Sequence, residues 1–302
     1  MRLFLQVLLI PVLLITTGIA AHGESDLRVE SFPKVARQGD VCLVRTSRPA
    51  SLKSIHGEFQ GERFPIAFNN ETGTYEGLIG IDMSTSPATY EIKVIATDSD
   101  NRVYSNTLSL RVEKVDFGIQ ALSLPPSMVD LDAKTLERVN QEARKLQALF
   151  QTFRDEKLWE GVFVRPVEGE ISTGFGLNRI INGQQRSQHT GVDLRAEKGT
   201  PVLASNHGVV VLVDELFFTG KSVLLDHGWG LYSMYFHLSE VLVKEGNLVR
   251  TGAILGRVGS TGRSTGPHLH WGIRINGARV DPLSLLKIGT LSNLTNNVRQ
   301  KD

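Results

Sequence analysis

The chain reads SQHTGVDL at residues 187–194 and GPHLHWGIR at residues 266–274, and these two stretches decide the fold and chemistry of its C-terminal half. In the first, His189 and Asp193 are four residues apart, and the glycine and β-branched valine between them favour a strand over a helix. Because positions i, i+2 and i+4 of a strand share one face, the imidazole and the carboxylate can converge on one cation.

The second stretch contains His268 and His270, which share a face of a predicted strand about 6–7 Å apart, given a rise of about 3.3 Å per residue. Two such strands side by side would gather four metal-binding groups. Nitrogen and oxygen donors without cysteine suit Zn²⁺ in a catalytic site, where three protein ligands leave one position for water. Strand spacing leaves open which of the two histidines is the ligand and which moves a proton.

Further histidines lie in the same region, since six of the eight fall within residues 189–270. His237 ends the apolar stretch MYFHLS, where a buried histidine needs a polar partner, so it is a fifth candidate for the site. His207 and His227 fall in predicted turns. No motif surrounds His207, and a structural role is expected for His227.

Several motifs follow one another in this half of the chain: GFG at 174–176, HTGVDL at 189–194, GTPVLAS at 199–205, DHGWGLYSMYFHLS at 226–239 and GSTGRSTGPHLHWGI at 259–273. Their order resembles the lysostaphin-type metallopeptidases, also called the LytM or M23 family, over residues 164–286. The resemblance implies that His189, Asp193 and His270 bind one zinc ion. It also gives His237 and His268 catalytic roles beside the metal.

The same resemblance implies a zinc metalloendopeptidase that hydrolyses peptide bonds of peptidoglycan in cell-wall remodelling, with D-alanyl cross-links as the expected bonds. Two alternatives are a non-catalytic LytM-type activator of a cell-wall amidase and a structural wall-binding protein. Some relatives activate amidases after losing metal ligands, whereas this chain keeps all five positions. The enzyme is therefore the favoured interpretation.

One departure from the family concerns the bond that is cut. Members that cut glycine bridges carry a tyrosine shortly before the first zinc histidine, where it is thought to stabilise the oxyanion. This chain has GQQRSQ at residues 183–188 instead. Either Arg186 or a protonated histidine takes that role, or the substrate differs, which weakens the case for glycyl-glycine cleavage.

The N-terminal half contains short β-rich runs separated by turn residues, at the spacing of a sandwich. In TYEIKVIA, residues 89–96, apolar and charged residues alternate, as in a half-buried strand. We predict a mainly β protein in which an immunoglobulin-like β-sandwich and a long linker helix precede an antiparallel β-sheet peptidase domain. The predicted parts are a signal peptide at 1–21, the sandwich at 26–115, a connector and helix at 116–160, the peptidase domain at 161–288 and a flexible tail at 289–302.

The connector contains Pro125 and Pro126, which exclude a regular helix there. Apolar residues at alternating steps of three and four then predict a helix of about 24 residues that ends near Phe153 and is capped by Asp130 or Asp132. We expect its apolar stripe to dock on one of the chain's own domains. A short dimeric coiled coil is the alternative.

Composition and the N-terminal residues address location and partners. The formal net charge of +1 gives no electrostatic indication of binding to nucleic acid or to an anionic membrane. Arg2 followed by the apolar run to Ile15 is typical of a signal peptide, so we expect export to the periplasm or cell envelope, with an uncleaved anchor as the only membrane link. The single cysteine, Cys42, excludes an internal disulfide. Besides peptidoglycan, the expected partners are protein regulators that bind the N-terminal domain.

Overall fold

The computed structural model describes residues 27–47 and 52–288. The predicted signal peptide and the predicted C-terminal tail lie outside these residues. Within the described ranges, no helix combines the length and the apolar character needed to cross a membrane.

The N-terminal half forms two β-sheets that face each other. Their strands are β1 (Val29–Phe32), β2 (Val35–Arg37), β3 (Val41–Thr46), β4 (Leu52–Phe59), β5 (Glu62–Pro65), β6 (Ala67–Asn69), β7 (Thr74–Gly80), β8 (Ala88–Asp98) and β9 (Val103–Glu113). One sheet has the order β1-β3-β7-β6 and the other β2-β9-β8-β4-β5. Val44, Ile92 and Leu110 are among the residues that fill one apolar core between them. The prediction of a β-sandwich is confirmed.

The connector contributes a strand, β10 (Ile119–Leu122), and a 3₁₀ turn, Pro126–Met128, ahead of the helix α1 (Ala133–Phe150). Asp132 caps the helix, since its side chain accepts a 2.7 Å hydrogen bond from the Thr135 amide. The helix has 18 residues and is shorter than predicted. The Thr152 hydroxyl donates to the Leu149 carbonyl at 2.7 Å, which satisfies one of the acceptors left open in the last turn.

Helix α1 docks on the C-terminal half of the chain, in line with the prediction that its apolar stripe docks on one of the chain's own domains. Leu146, Leu149 and Phe150 pack against a buried cluster that includes Leu212 and Met234. Polar contacts flank this apolar patch, among them a 2.6 Å ion pair between Lys145 and Asp214. Phe153, which the predicted stripe included, lies beyond the helix end and is 55% exposed.

The C-terminal half is built on one large antiparallel sheet. Its elements are β11 (Ile171–Thr173), β12 (Asn178–Ile181), β13 (Gln184–Gln185), β14 (Gly191–Arg195), β15 (Pro201–Leu203), β16 (Gly208–Leu216), β17 (Gly220–Asp226), β18 (Leu231–Val241), β19 (Leu248–Val249), β20 (Ile254–Val258), β21 (His268–Ile275) and β22 (Ala278–Val280), followed by a helical stretch at 282–288. Ten of these strands, all except β12 and β13, form the large sheet, whose main order is β11-β14-β21-β18-β17-β16-β19. The predicted antiparallel architecture is confirmed.

A separate three-stranded sheet has the order β10-β12-β13, and β10 pairs in parallel with β12. Strand β10 comes from the predicted connector, so part of that connector belongs to the wall of the C-terminal half. No sequence pattern in the connector predicted this strand.

The two halves share a packed junction. Val41 and Leu43 of the sandwich belong to the same apolar core as Leu285 and Val280 of the C-terminal half. Asp82 completes the junction because its carboxylate accepts hydrogen bonds of 3.0 and 2.7 Å from the Arg279 guanidinium and one of 2.8 Å from the Arg279 amide. The site described next is therefore attached to a rigid support.

Candidate metal centre

The central strands of the large sheet position the candidate metal ligands. In the antiparallel pair β14–β21, Asp193 lies directly opposite His270, and in the pair β18–β21 Phe236 lies opposite the same histidine. The Phe236 and His270 rings stack with centroids 5.4 Å apart and planes within 7°. His189 precedes β14 and is held by a 2.9 Å hydrogen bond from its amide to the Leu177 carbonyl.

Three donor atoms of this group converge on one point. The distances between His189 Nε2 and Asp193 Oδ1, between His189 Nε2 and His270 Nδ1, and between His270 Nδ1 and Asp193 Oδ1 are each 2.9 Å. All three residues are buried. The structure thus brings the three predicted ligands together.

The hydrogen bonds of His189 test whether this group suits a cation. Its Nδ1 lies 2.7 Å from the Gly174 carbonyl, which can only accept, so Nδ1 carries the proton and Nε2 presents a lone pair. In the neutral ring that lone pair faces an Asp193 carboxylate oxygen at 2.9 Å, and a cation between the two acceptors would stabilise this arrangement. The residues therefore fit a metal ion.

The protonation states agree with this conclusion. Burial lowers the pKa of His270 to about 4, so its imidazole is neutral at pH 7, as a metal ligand must be. Burial alone would raise the pKa of Asp193, but the contacts with His189 and His270 bring it well below its usual value, so the carboxylate is ionised. Two imidazole nitrogens and one carboxylate oxygen match the donor set of catalytic zinc, which keeps a fourth position open.

His237 and His268 lie beside this group with matching hydrogen bonds. His237 Nδ1 donates to the Thr261 carbonyl and His268 Nδ1 to the Gly266 carbonyl, each at 2.8 Å. Each bond fixes the tautomer, so the Nε2 atom of each ring is free to accept a proton. The two ring centroids are 4.8 Å apart, and His268 Nε2 is 3.8 Å from Asp193 Oδ1.

The backbone explains how His237 reaches the site. In a regular strand Phe236 and His237 would point to opposite faces, yet both rings contact that of His270, with centroids at 5.4 and 6.2 Å. His237 has a φ of 64°, a left-handed conformation that non-glycine residues seldom adopt. A 2.8 Å hydrogen bond from the His237 backbone N–H to the Thr219 carbonyl holds that conformation. Burial lowers the pKa of His237 to about 3, so the ring is neutral at pH 7.

A cavity of about 330 Å³ opens over Asp193, His237 and His268. Sequence reasoning missed several of its walls. One is the connector strand, which contributes Gln120 and Leu122, and another is formed by Arg179 and Arg263. The only sequence signal for the arginines was a single charge within the apolar run LNRII and another within a glycine- and serine-rich loop.

Arg186, one of the residues considered for oxyanion stabilisation, points toward the start of the helix. Its Nη2 lies 2.6 Å from Gln184 Oε1 and 3.9 Å from Asp130 Oδ1. Arg179 is the arginine nearer the metal ligands, with Nη2 3.9 Å from Asp193 Oδ2.

His227 takes no part in the metal centre. It is completely buried, its Nδ1 donates to the His207 carbonyl at 2.6 Å, and its Nε2 lies 2.7 Å from Ser233 Oγ. Ser233 in turn contacts the Tyr235 hydroxyl at 2.9 Å, so the histidine belongs to a buried polar network. This placement agrees with the structural role expected for it.

Comparison with known proteins adds independent information on this region. The model of Peptidase family M23 matches residues 187–282, which contain the three ligand candidates. DD-carboxypeptidase/endopeptidase Mpg of Neisseria meningitidis serogroup B is 50% identical over 115 residues, which are 38% of this chain and 26% of that protein. Peptidoglycan DD-endopeptidase ShyA of Vibrio cholerae is 35% identical over 139 residues, which are 46% of this chain and 30% of that protein.

A solved structure from Pseudomonas aeruginosa, described as a candidate M23 peptidase, extends the similarity beyond residues 187–282. It has a TM-score of 0.63 and 29% sequence identity, and the match covers 82% of this chain and 94% of that one. The sandwich and the large sheet therefore occur together in that protein as well. The two curated relatives are much longer, since the match spans only 26% and 30% of their lengths.

Proposed function

We propose that this chain, whose residues 187–282 match the model of Peptidase family M23, is a zinc-dependent endopeptidase that hydrolyses peptide bonds of peptidoglycan in cell-wall remodelling. The observation that carries the proposal is the convergence of His189, Asp193 and His270 on one point, with two acceptor atoms facing each other at 2.9 Å. These three residues would hold the metal.

Zinc at this point would polarise a scissile carbonyl and lower the pKa of water toward about 7. The chain's own contribution is to supply two proton-handling groups. His237 and His268 each keep Nδ1 on a backbone carbonyl and leave Nε2 free. One of them accepts a proton at Nε2 from the attacking water and passes it to the leaving amine, while the other, once protonated at Nε2 from solvent, donates a hydrogen bond to the developing oxyanion.

The substrate proposal rests on the shape of the cavity and on the relatives. The cavity is a cleft between the connector strand and the loop at 263–268, which suits an extended peptide rather than a compact molecule. Mpg and ShyA are named for DD-peptidase activities, and ShyA is named for peptidoglycan. We therefore favour D-alanyl cross-links over glycine bridges, and the missing tyrosine near residues 183–188 agrees with that choice.

Peptidoglycan as the substrate implies a location outside the cytoplasm, in the periplasm or cell envelope. The signal peptide predicted at residues 1–21 is consistent with this location. A role of the sandwich in binding protein regulators stays part of the proposal.

A non-catalytic amidase activator is the second candidate. Relatives of that kind have lost metal ligands, whereas here His189, Asp193 and His270 are all present and converge. No further observation favours this candidate.

The test combines metal analysis with digestion of purified sacculi. We expect about one zinc ion per chain, and mass spectrometry of the digest should identify new D-alanyl carboxyl termini. His237→Ala should keep zinc and release no new termini. His56→Gln, a change in the sandwich, serves as the matched control and should digest like the unchanged protein. Absence of zinc, or digests of the unchanged protein that match those of His237→Ala, would refute the proposal.

A further inference from the structure

Two arginines share the cavity with the metal centre. Arg179 and Arg263 line the same 330 Å³ space as Asp193 and His268. Arg179 is the deeper of the two, with a side chain 21% exposed and its Nη2 3.9 Å from Asp193 Oδ2. Asp193 is already committed to the two histidines at 2.9 Å, so it compensates the arginine charge only in part.

Arg263 has no anionic partner within the described residues. Its guanidinium carbon lies 4.1 Å from the centroid of the Phe218 ring, and its amide donates to the Phe218 carbonyl at 2.8 Å. The stacking holds the guanidinium plane in place while leaving its N–H groups available. Burial, together with the charges of Arg179 and Arg186, lowers the pKa of Arg263 to about 10.

Gln120 of the connector strand positions Arg179. Its side-chain amide donates to Thr173 Oγ1 at 3.3 Å, and its oxygen lies 3.4 Å from Arg179 Nε. The arginine is thus supported from both sides of the cleft, by a carboxylate and by a carboxamide. Like charges gathered in a partly buried cleft repel one another, and a bound anion would relieve that repulsion.

We infer that Arg179 and Arg263 form a carboxylate-binding subsite, which selects peptide bonds whose amine-side residue carries a free carboxylate on the carbon next to the scissile nitrogen. This inference rests on the proposed function, because it assigns a substrate feature to the same cleft.

The chemistry of wall peptides makes the selection meaningful. In one kind of cross-link, D-alanine is joined to the side-chain amine of a diamino acid. When that diamino acid carries a second carboxyl group, a carboxylate lies on the carbon bonded to the scissile nitrogen. The same is true of a terminal D-alanyl-D-alanine. A glycyl-glycine bond inside a bridge has an amide carbonyl at that position. A planar guanidinium that binds a carboxylate in bidentate fashion would separate these two groups of substrate.

The test uses two synthetic cross-linked peptides that differ only in whether the amine-side residue bears a carboxylate or a carboxamide. We expect the full chain to prefer the carboxylate form by about tenfold to a hundredfold in kcat/KM, the range for a charge-assisted hydrogen bond. Calorimetric binding to His237→Ala provides a second readout, and the same preference should appear there in Kd.

Substitutions then assign the preference to the subsite. Arg263→Gln should bring the ratio between the two peptides close to one, whereas Arg263→Lys should keep an intermediate ratio because it retains the charge without the planar geometry. Arg250→Gln, an exposed change elsewhere in the peptidase half, is the matched control and should keep the full ratio. Zinc content and circular dichroism of each variant check that folding is intact.

The outcomes separate this inference from the proposed function. Hydrolysis of both peptides at equal rates with equal Kd would overturn the subsite while leaving the peptidase in place. A carboxylate preference in Kd without hydrolysis by the full chain would support the subsite and refute the peptidase. A preference that survives Arg263→Gln and Arg179→Gln alike would also overturn the subsite.

Discussion

Asp193 and His270 face each other across the central strand pair of the large sheet, with Oδ1 and Nδ1 2.9 Å apart. Strand register alone sets this relationship, because each residue is the direct partner of the other. Both atoms also lie 2.9 Å from His189 Nε2, which enters from the loop before the pair.

Asp193→Asn should abolish tight zinc binding. The amide oxygen of asparagine is neutral and cannot balance the charge of a divalent cation as the carboxylate does. We expect the zinc content, measured by mass spectrometry, to fall from about one ion per chain to near zero, and sacculus digestion to stop. Near-wild-type zinc content in a folded Asp193→Asn protein would contradict the assignment of this residue as a ligand.

The buried His227 predicts a pH dependence of stability. Its folded pKa of about 4 is below the unfolded value of about 6.5, so the unfolded chain binds a proton more readily. The neutral His227 therefore contributes its full share of stability above about pH 6.5. As the pH falls toward 4, the free energy of unfolding decreases by about 3 kcal/mol in total. Urea unfolding at pH 7.5 and 4.5 measures this loss.

His227→Gln isolates the contribution of this histidine from that of the metal-site histidines. The variant should be less stable at pH 7.5, because the bonds to His207 and Ser233 change. It should also lose less stability between the two pH values than the unchanged protein does. Equal losses in both proteins would show that His227 does not titrate on unfolding in this range.

The junction between Asp82 and Arg279 should contribute to stability. Asp82→Ala removes a bidentate, partly buried pair and leaves the guanidinium with only the 3.3 Å contact to Ser84 Oγ, and we expect a loss of about 1–2 kcal/mol in the free energy of unfolding. Glu113→Ala breaks the exposed 3.0 Å pair with Arg111 and should cost less than about 1 kcal/mol. Chemical denaturation of both variants compares them, and similar losses would contradict a special role of the junction.

Two phenylalanines near the end of the helix form a matched pair for testing its docking. Phe150 packs on the buried cluster and lies edge-on to Tyr232 with centroids 5.5 Å apart, whereas Phe153 is 55% exposed. Phe150→Ala should destabilise the protein by about 2 kcal/mol, and Phe153→Ala by less than about 0.5 kcal/mol. Thermal unfolding distinguishes them, and equal shifts would argue against docking of this helix in solution.

Local pattern was sufficient to predict that several side chains of the candidate site lie close together. Asp193 and His270 each lie in a short stretch whose residue types favour strands, and a strand fixes which neighbours share a face. Family resemblance, and not spacing, separated His268 from His270. The left-handed backbone of His237 could not be predicted, because it depends on a carbonyl of Thr219 that the fold brings near.

The residues that form the walls of the cleft were harder to predict than the candidate metal ligands. Gln120 reaches the site only because residues 119–122 pair in parallel with residues 178–181, and a pairing across about sixty residues leaves no local signal. Arg179 and Arg263 likewise meet through tertiary structure. The same limit applies to the helix, whose apolar stripe continues to Phe153 although the helix ends at Phe150.

The apolar core shared by Val41, Leu43, Val280 and Leu285 has a consequence for how this protein can be divided. A truncation at residue 161 follows the predicted boundary of the C-terminal domain. It would nevertheless remove Val41 and Leu43 from the core in which Leu285 is buried. The exposed surface would favour association of the fragment with itself or with other chains. The sandwich and the C-terminal half are therefore expected to be inherited together. A recombinant that exchanged one half would need a surface on the new half that packs against the retained one.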